Sequence, residues 1–523
     1  MSQDADGGPD RPDFDVVVVG YGPVGMVTAA LLGRAGHDVL VLERYAGLYN
    51  LPRGAIFDDE TMRTLAVLGI ADELLPKLRV QRNYEWRNAA RQLLMEVDYA
   101  ETGRSGWAEW YMMYQPELEE ALDEVCRAQP SVRIRHSSPV VALAQDATRV
   151  TVSYGGDEPG SVTARYVVAC DGGNSFVRRE LGIDQDDYGF SEPWMVCDFR
   201  FTHPMELPAA LQIGDPTGPT SVISIGPAHH RISFMLDSVQ DFDVERDPEK
   251  VWRRVGRLGL MTPDDAELIR VATYTFRSLV AQHWRQGRIL LAGDAAHEMP
   301  PFLGQGMCSG IRDAQNLGFK LDLVLRGKRP DALLDTYQSE RDPHVRAVIE
   351  KGVEMGRRQT VRDPEQAAQR DRMLLAKRAA NEAPDKIRFP GLGPGMHGPS
   401  AGAGSLSAQG VVEGADGRRA RLDQAVGSGW QLLVDAAAVA GPVPAAAELA
   451  AIDVRVVRLG ADAADVDGTY REWLAELGAV AVVVRPDFYV FGTAADAAAL
   501  PGLVDDLLTA TGERAPAPLS ATG

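Results

Sequence analysis

The opening stretch, residues 14–44 (FDVVVVGYGPVGMVTAALLGRAGHDVLVLER), begins with an apolar run from Phe14 to Val19 that is too short for a helix. A glycine turn, a segment of helical period and a second apolar run at Val39 to Leu42 follow, predicting strand, turn, helix and strand. Met62, Leu65, Leu68 and Ile70 then form a helical stripe behind Asp58 or Asp59 as N-cap. Residues 82–114 alternate and are rich in aromatics (Tyr84, Trp86, Trp107, Trp110, Tyr111, Tyr114), predicting short strands that belong either to the core or to the wall of a pocket. A helix opens at Gln115-Pro116, with proline in its first turn. Strands are expected at 132–136, 140–144, 149–154 and 166–169. From 183 to 285 the pattern changes to MVCDFRF, SVISIG, RISFML and ATYTFRSLV, the alternation of an antiparallel sheet. A buried strand at 288–291 leads through a Pro/Gly loop into a helix from about Met307 to Leu325 with Ile311, Leu317, Leu321 and Val324 as its stripe. A helix and a charged connector follow, then FPGLGPGMHGPSAGAG, a linker by composition. Beyond 410 a small Ala-rich α/β unit is expected, with strands at 430–434, 454–459, 479–485 and 488–491 and helices at 469–477 and 500–510.

This alternation gives an α/β chain, and 523 residues call for two or three domains. The formal charge of −20, with no long Lys/Arg run, argues against nucleic acid and anionic membrane surfaces as partners. No apolar stretch approaches a membrane span. The polar leader MSQDADGGPDRPD lacks the apolar centre of a signal peptide and is expected to be disordered. Cysteines 126, 170, 197 and 308 show no metal spacing, so no metal is expected, and reduced thiols point to the cytoplasm.

The chemistry is concentrated in glycine loops. Gly20, Gly22 and Gly25 form G-x-G-x-x-G between a strand and a helix that starts at Pro23. There Gly20 makes the tight turn, Gly22 admits a pyrophosphate and Gly25 lets the helix pack on the sheet. Glu43, 18 residues past Gly25 and followed by Arg44, stands where a carboxylate accepts adenosine ribose hydroxyls. Arg53 lies in the next loop, either against a phosphate or flavin or simply solvated. Asp171-Gly172, at the end of a strand, reads as a second phosphate-facing turn. Gly293-Asp294 and a loop carrying Pro301, Gly304 and Gly306 before the helix at Met307 repeat the arrangement: glycines admit a flat ligand and a helix N-terminus points at it.

Taken together, G-x-G-x-x-G with Glu43-Arg44, then Asp171-Gly172, then Gly293-Asp294 resembles the FAD-dependent aromatic hydroxylases of the p-hydroxybenzoate hydroxylase fold, over residues 14 to about 350. Pro52-Arg53, CDGGNSFVRR and LLAGDAAHEMPPFLGQGMCSGIRDAQNLGFKLDLVLRGK look most like the branch that holds 3-(3-hydroxyphenyl)propionate hydroxylases and antibiotic-tailoring hydroxylases. The tail resembles the thioredoxin-like domain of the phenol hydroxylase branch, without redox cysteines. The resemblance implies a Rossmann-like FAD domain from 1–182 and 286–395, an inserted antiparallel-sheet substrate domain at 183–285 and a C-terminal domain at 396–523.

It also implies noncovalent FAD held by Gly20, Gly22, Pro23, Gly25, Glu43 and Arg44. Arg53 and Gln115 would lie along the flavin and its linker, with Asp171-Gly172 as the shared fingerprint and Asp294 on the ribitol. Pro301, Gly304, Gly306 and Met307 would lie beside the flavin ring. His297 matches the family's GDAAH and reads as structural. NAD(P)H would be a transient co-substrate. O2 would add to reduced flavin to give a hydroperoxide that hydroxylates a small phenolic substrate ortho to its hydroxyl. Tyr111, His229, His230 and Arg231 are the catalytic candidates, and Arg200 and His203 are further positive or switchable groups. For each of these an ordinary sheet or loop role stays open. The rival readings are polyketide tailoring, including epoxidation and oxygen insertion, and a non-enzymatic FAD-binding protein; a monomer and a homodimer fit equally well.

Overall fold

In a computed structural model the described residues are 11–99, 101–384 and 386–514. The expected leader lies, as far as residue 10, outside them. Strand Phe14–Val19 sits at the centre of a mostly parallel sheet, between Val39–Leu42 and Gly160–Ala169. Val132–Arg135 and Ile289–Leu291 extend it in parallel on either side. The valines of Phe14–Val19 are buried on both faces, as a central parallel strand requires. Helix Pro23–Arg34 and the long helix Gly306–Leu325 pack on one another over this sheet, with Met26, Ala29, Ala30, Ile311, Ala314 and Leu317 inside.

A second sheet of eight strands crosses beside the first, in the order His297–Glu298, Ala266–Ala281, Gln185–Phe201, His229–Met235, Thr220–Ser224, Ala210–Gly214, Asn83–Asn88 and Leu93–Asp98. The antiparallel sheet expected over 183–285 is therefore wider than that span. The segment 83–98 joins it through a parallel pairing of Leu211–Gly214 with Glu85–Asn88, and 297–298 adds the opposite edge. Local alternation signals a strand but not its partner, so this long-range pairing had no mark in the pattern. One face of the sheet is apolar (Met195, Cys197, Phe199, Leu211, Val222, Ile232) and packs on helix Pro248–Leu258 through Val251 and Val255. The other face looks toward the glycine loops.

The C-terminal unit is a seven-stranded sheet. Its centre runs strand Gln431–Asp435, helix Ala446–Ala451, parallel strand Arg455–Leu459, helix Thr469–Leu477, an antiparallel pair Ala481–Val484 and Val490–Ala494, and helix Leu500–Thr511. The Pro/Gly stretch before it is no loose tether. Its Met396 N–H donates to Glu340, and Gly398 N–H to the Phe491 carbonyl at 2.7 Å. Buried Arg63 reaches across to Asp423 at 2.6 Å and Ser407 at 2.9 Å, tying the unit to helix Asp59–Leu68. Among the described residues no helix is long and apolar enough to cross a membrane, and no group of His, Cys, Asp and Glu could hold a metal ion.

Candidate active site

Three loops and the inner face of the second sheet converge on one cavity of about 1220 Å³. In the first loop Gly20 has φ +97°, and a Cβ there would lie 2.5 Å from the Cys170 carbonyl oxygen, so only glycine can turn where the two strands run together. A Cβ on Gly22 would meet only Arg53 Nη2, at 3.7 Å, which leaves the backbone open to the cavity. At Gly25 the same atom would strike the Gly20 carbonyl oxygen. Helix Pro23–Arg34 has Gly22 as its N-cap with no side-chain cap, and helix Gly306–Leu325 likewise has none at Gln305. Both first turns therefore present unpaired N–H groups and positive dipole ends to the same space, which suits an anion and an electron-rich ring edge.

Gly22, Pro23, Arg53, Gln115, Gly172, Asp294, Pro301, Gly304, Gly306 and Met307 all line this cavity. Arg53 Nη2 and Gln115 Nε2 both donate to Glu119 Oε1 at 2.6 Å, and Gln115 Oε1 accepts the Gly54 N–H, so Glu119 sets the pose of both side chains. Asp294 is deep in the molecule, yet its carboxylate has free surface because it faces the cavity. Burial raises its pKa above the usual carboxylate range, with His297 and Arg53 pulling it back. The loop that carries it is held by Asp313, which accepts the Gly293 N–H at 3.0 Å, His297 Nε2 at 2.7 Å and Arg341 Nε at 2.9 Å. His297 is fully buried in this network, and its place is structural. Arg178 bridges two of the loops through the carbonyls of Gly173 (2.7 Å) and Ala295 (2.9 Å). Glu119 and Asp313 were not singled out in the sequence. Glu119's spacing of four from Gln115 was the only hint, and Asp313 had none.

Other candidates stand off the cavity. Glu43, 8% exposed, accepts the N–H of Tyr21 at 2.7 Å and of Tyr45 at 2.9 Å, shaping the glycine loop from behind. A ribose role would share its carboxylate with both. Arg44 is exposed, with its guanidinium 4.8 Å from the Tyr45 ring centroid. Asp171 Oδ2 accepts the Val177 N–H at 3.1 Å, so this acid caps a short helix beside the cavity while Gly172 faces into it.

The four catalytic candidates do not form a catalytic group. Tyr111 is buried against Phe57, its hydroxyl accepting the Ala108 N–H at 3.1 Å, and burial raises its pKa. His229 stacks on Tyr114 with ring centroids 4.0 Å apart. His230 is fully buried with no partner on either nitrogen, and burial pushes its pKa down to about 3, which unfits it as a base near neutral pH. None of these three lines the cavity.

Arg231 does line it, but its donors are occupied. Nε and Nη2 go to Asp198 at 2.6 and 3.1 Å, Nη2 also to the Pro52 carbonyl at 3.0 Å, and Nη1 to the Arg53 carbonyl at 2.5 Å. It is a staple between the sheet and the Pro52–Arg53 loop, helped by Arg270 at 2.9 Å from the Pro52 carbonyl oxygen. Arg200 pairs with Glu267 at 2.5 Å, and His203 lies 3.6 Å from Asp265, both exposed and off the cavity wall. Alternation told which residues share a face but not which of them were already paired.

Residues 13–352 match the FAD binding domain family, and 404–510 match the HcaD C-terminal domain. The chain belongs to the FAD-binding-domain family of aromatic monooxygenases. It is 47% identical, over 98% of each chain, to a probable NADH-specific resorcinol 4-hydroxylase of Rhodococcus jostii. It is 36% identical, over 81% of this chain and 76% of the other, to a 3-(3-hydroxy-phenyl)propionate/3-hydroxycinnamic acid hydroxylase of a Mycobacterium species. Among solved structures it resembles aklavinone-11 hydroxylase in complex with FAD and aklavinone, with a TM-score of 0.79 and 26% identity over 97% of this chain and 100% of that one. The chain is thus an FAD enzyme that takes NAD(P)H as co-substrate. The open backbone at Gly22 and the two uncapped helix ends fit that dinucleotide.

Proposed function

We propose that this enzyme uses NADH and O2 to hydroxylate a small phenolic ring, of the resorcinol type, ortho to an existing hydroxyl. The observation that carries the reading is the shared cavity. Both uncapped helix ends, Arg53 and Asp294 lie on its wall together with the inner face of the sheet, so a bound flavin and an aromatic substrate share one space. Similarity to a resorcinol hydroxylase over nearly the full length of both chains supports the substrate class and NADH. When bound, FAD takes two electrons from NADH and activates O2 as an electrophilic oxygen donor, and only an oxygen-bearing ring is nucleophilic enough to accept it.

The protein's own part is placement. Glu119 orients Arg53 and Gln115, Asp313 fixes the Asp294 loop, and the helix at Gly306 offers N–H groups to negative charge on the ring it faces. FAD is held without a covalent bond. Among the described residues the cavity wall carries no histidine and one cysteine, Cys170, whose pKa burial raises far above the usual thiol range, leaving little thiolate for attack. The C-terminal unit is read as a thioredoxin-like domain that serves assembly, supported by its β-α-β-α-β-β-α order, and its lack of cysteine makes it redox-inert. A cytoplasmic location is the reading that its four unpaired cysteines support.

A screen of phenols for stimulated NADH oxidation, with product mass, tests the reading. A product heavier by one oxygen supports it, whereas NADH oxidation indifferent to every phenol contradicts it. The likeness to aklavinone-11 hydroxylase over the whole of that chain favours a polyketide as the second reading, and the same screen with a polycyclic phenol decides between them.

A further inference from the structure

The inner face of the substrate sheet is ordered in rows. Side chains two apart on a strand share a face, and register sets which residues of neighbouring strands stand abreast. In one row Ile223, Arg231, Asp198 and Arg270 stand abreast, and the three charged groups are spent on each other and on the Pro52 and Arg53 carbonyls. Two residues along, Gln212 pairs with Ser221 and Ser221 with Ser233, on three adjacent strands. All three line the cavity, and Val196 continues their row. One step further on, Trp194 stands abreast of Tyr274, with Phe276 and Phe302 in the same wall.

The middle row differs from its neighbours in being polar and unpaired. Gln212 is 2% exposed, and its Nε2 has no hydrogen-bond partner. Ser233 is buried at 7% exposure and Ser221 half-buried, and neither hydroxyl makes a hydrogen bond among the described residues. Buried polar groups are nearly always satisfied, so an amide and two hydroxyls left open in register on a cavity wall mark a place where a ligand supplies the partners. Amide and hydroxyl both donate and accept, which suits a phenolic OH in either direction. Neighbouring strands lie about 4.8 Å apart. That is the separation of two oxygens placed 1,3 on a benzene ring and clearly more than that of adjacent ones.

We propose that Gln212, Ser221 and Ser233 read the ring oxygens of the substrate, and that the row selects a 1,3-dihydroxylated ring over a phenol with a single hydroxyl. This rests on the reading of the chain as a phenol hydroxylase. The ring lies against the apolar and aromatic groups on either side, Ile223, Val196 and Trp194, with its oxygens on the row.

The test compares resorcinol with phenol in the FAD-loaded enzyme, by dissociation constant from the change in flavin absorbance and by KM and kcat in NADH oxidation. In Gln212→Leu, and separately in the milder Ser221→Ala/Ser233→Ala pair, resorcinol should bind about ten-fold more weakly, the loss expected for one or two hydrogen bonds, while phenol changes much less. The loss should appear in KM more than in kcat, and Gln212→Asn should recover part of it. An unchanged ratio of resorcinol to phenol affinity, or an equal loss for both, overturns the row as an oxygen reader. If the unmodified enzyme responds to no phenol at all, the hydroxylase reading itself falls, and the row's assignment with it. FAD absorbance, intact in both variants, shows that the fold is kept; should the leucine variant lose it, the serine pair alone decides.

Discussion

Two polar clusters lie deep in this molecule and are built in opposite ways. Where the C-terminal unit meets helices Gly306–Leu325 and Asp335–Gln359, Glu340 takes Lys320, Asn316 and Arg485 at 2.7 Å each, while Asp487 takes Arg485 at 2.6 Å and Asn316 at 3.0 Å. All five side chains are at most 2% exposed, and each charge has an opposite one in contact. On the cavity wall stand Gln212, whose Nε2 has no partner, and Ser221 and Ser233, whose hydroxyls make no hydrogen bond among the described residues. A network of paired charges, in which Asn316 Oδ1 alone lacks a partner, fixes one arrangement of the chain, whereas an open row leaves its hydrogen bonds for something that arrives later. Burial alone does not separate structure from function here; in these two clusters the difference is that one pairs its charges inside the chain and the other lies on the cavity wall.

That contrast is most easily broken at the closed cluster. Glu340→Ala leaves Lys320 and Arg485 without their shared carboxylate, and stability should fall by about 3–5 kcal/mol in denaturant titration, with loss of FAD following unfolding. A loss under 1 kcal/mol would mean that the cluster is not closed in solution. Arg231→Met is expected to cost about 3 kcal/mol, less than Glu340→Ala because Arg270 still faces Asp198. It should weaken FAD retention and slow turnover alike for a carboxylated phenol and its neutral analogue. A loss confined to the carboxylated one would restore Arg231 as a substrate ligand.

At the open end, Asp294→Ala should weaken FAD binding by about 1.5–3 kcal/mol, the range for a hydrogen bond to a charged acceptor, with little change in melting temperature of the FAD-free protein. Unchanged affinity for FAD would remove Asp294 from the site. The effect that is smallest at neutral pH is electrostatic. His230 has its pKa lowered from 6.5 to about 3, so below pH 6.5 the unfolded chain binds a proton that the folded chain does not. Its share of stability is whole above pH 6.5 and falls as pH drops toward 3, by up to about 1.4 kcal/mol per pH unit. His230→Phe should flatten that part of the stability profile and leave kcat unchanged at neutral pH; an unaltered profile would show that the ring is not held neutral.

What the sequence discloses follows the same division. The loops that surround the dinucleotide are legible because they depend on backbone, and backbone demands are met by glycine and proline at fixed spacing: Gly20, Gly22 and Gly25, then Gly304 and Gly306. The rows of the floor are not legible, because they depend on which strands stand abreast. Gln212 comes next to Ser221 and Ser233 only after two hairpins close, and 83–98 enters the same sheet from far upstream. The histidines and Arg231 drew attention as reactive residue types, yet their partners were set by packing that no local pattern records. The three groups of the open row carry no charge and had no motif.

Whether flavin and phenol meet in one cavity can be seen in the coupling of their reactions. The purified yellow enzyme is mixed with NADH in air, with and without resorcinol, while NADH oxidation, O2 uptake and product mass are followed together. Resorcinol should accelerate NADH oxidation, and each NADH consumed should yield one ring product heavier by a single oxygen atom. NADH oxidation that proceeds at the same rate without a phenol, or that consumes O2 while resorcinol stays unmodified, would contradict a shared cavity.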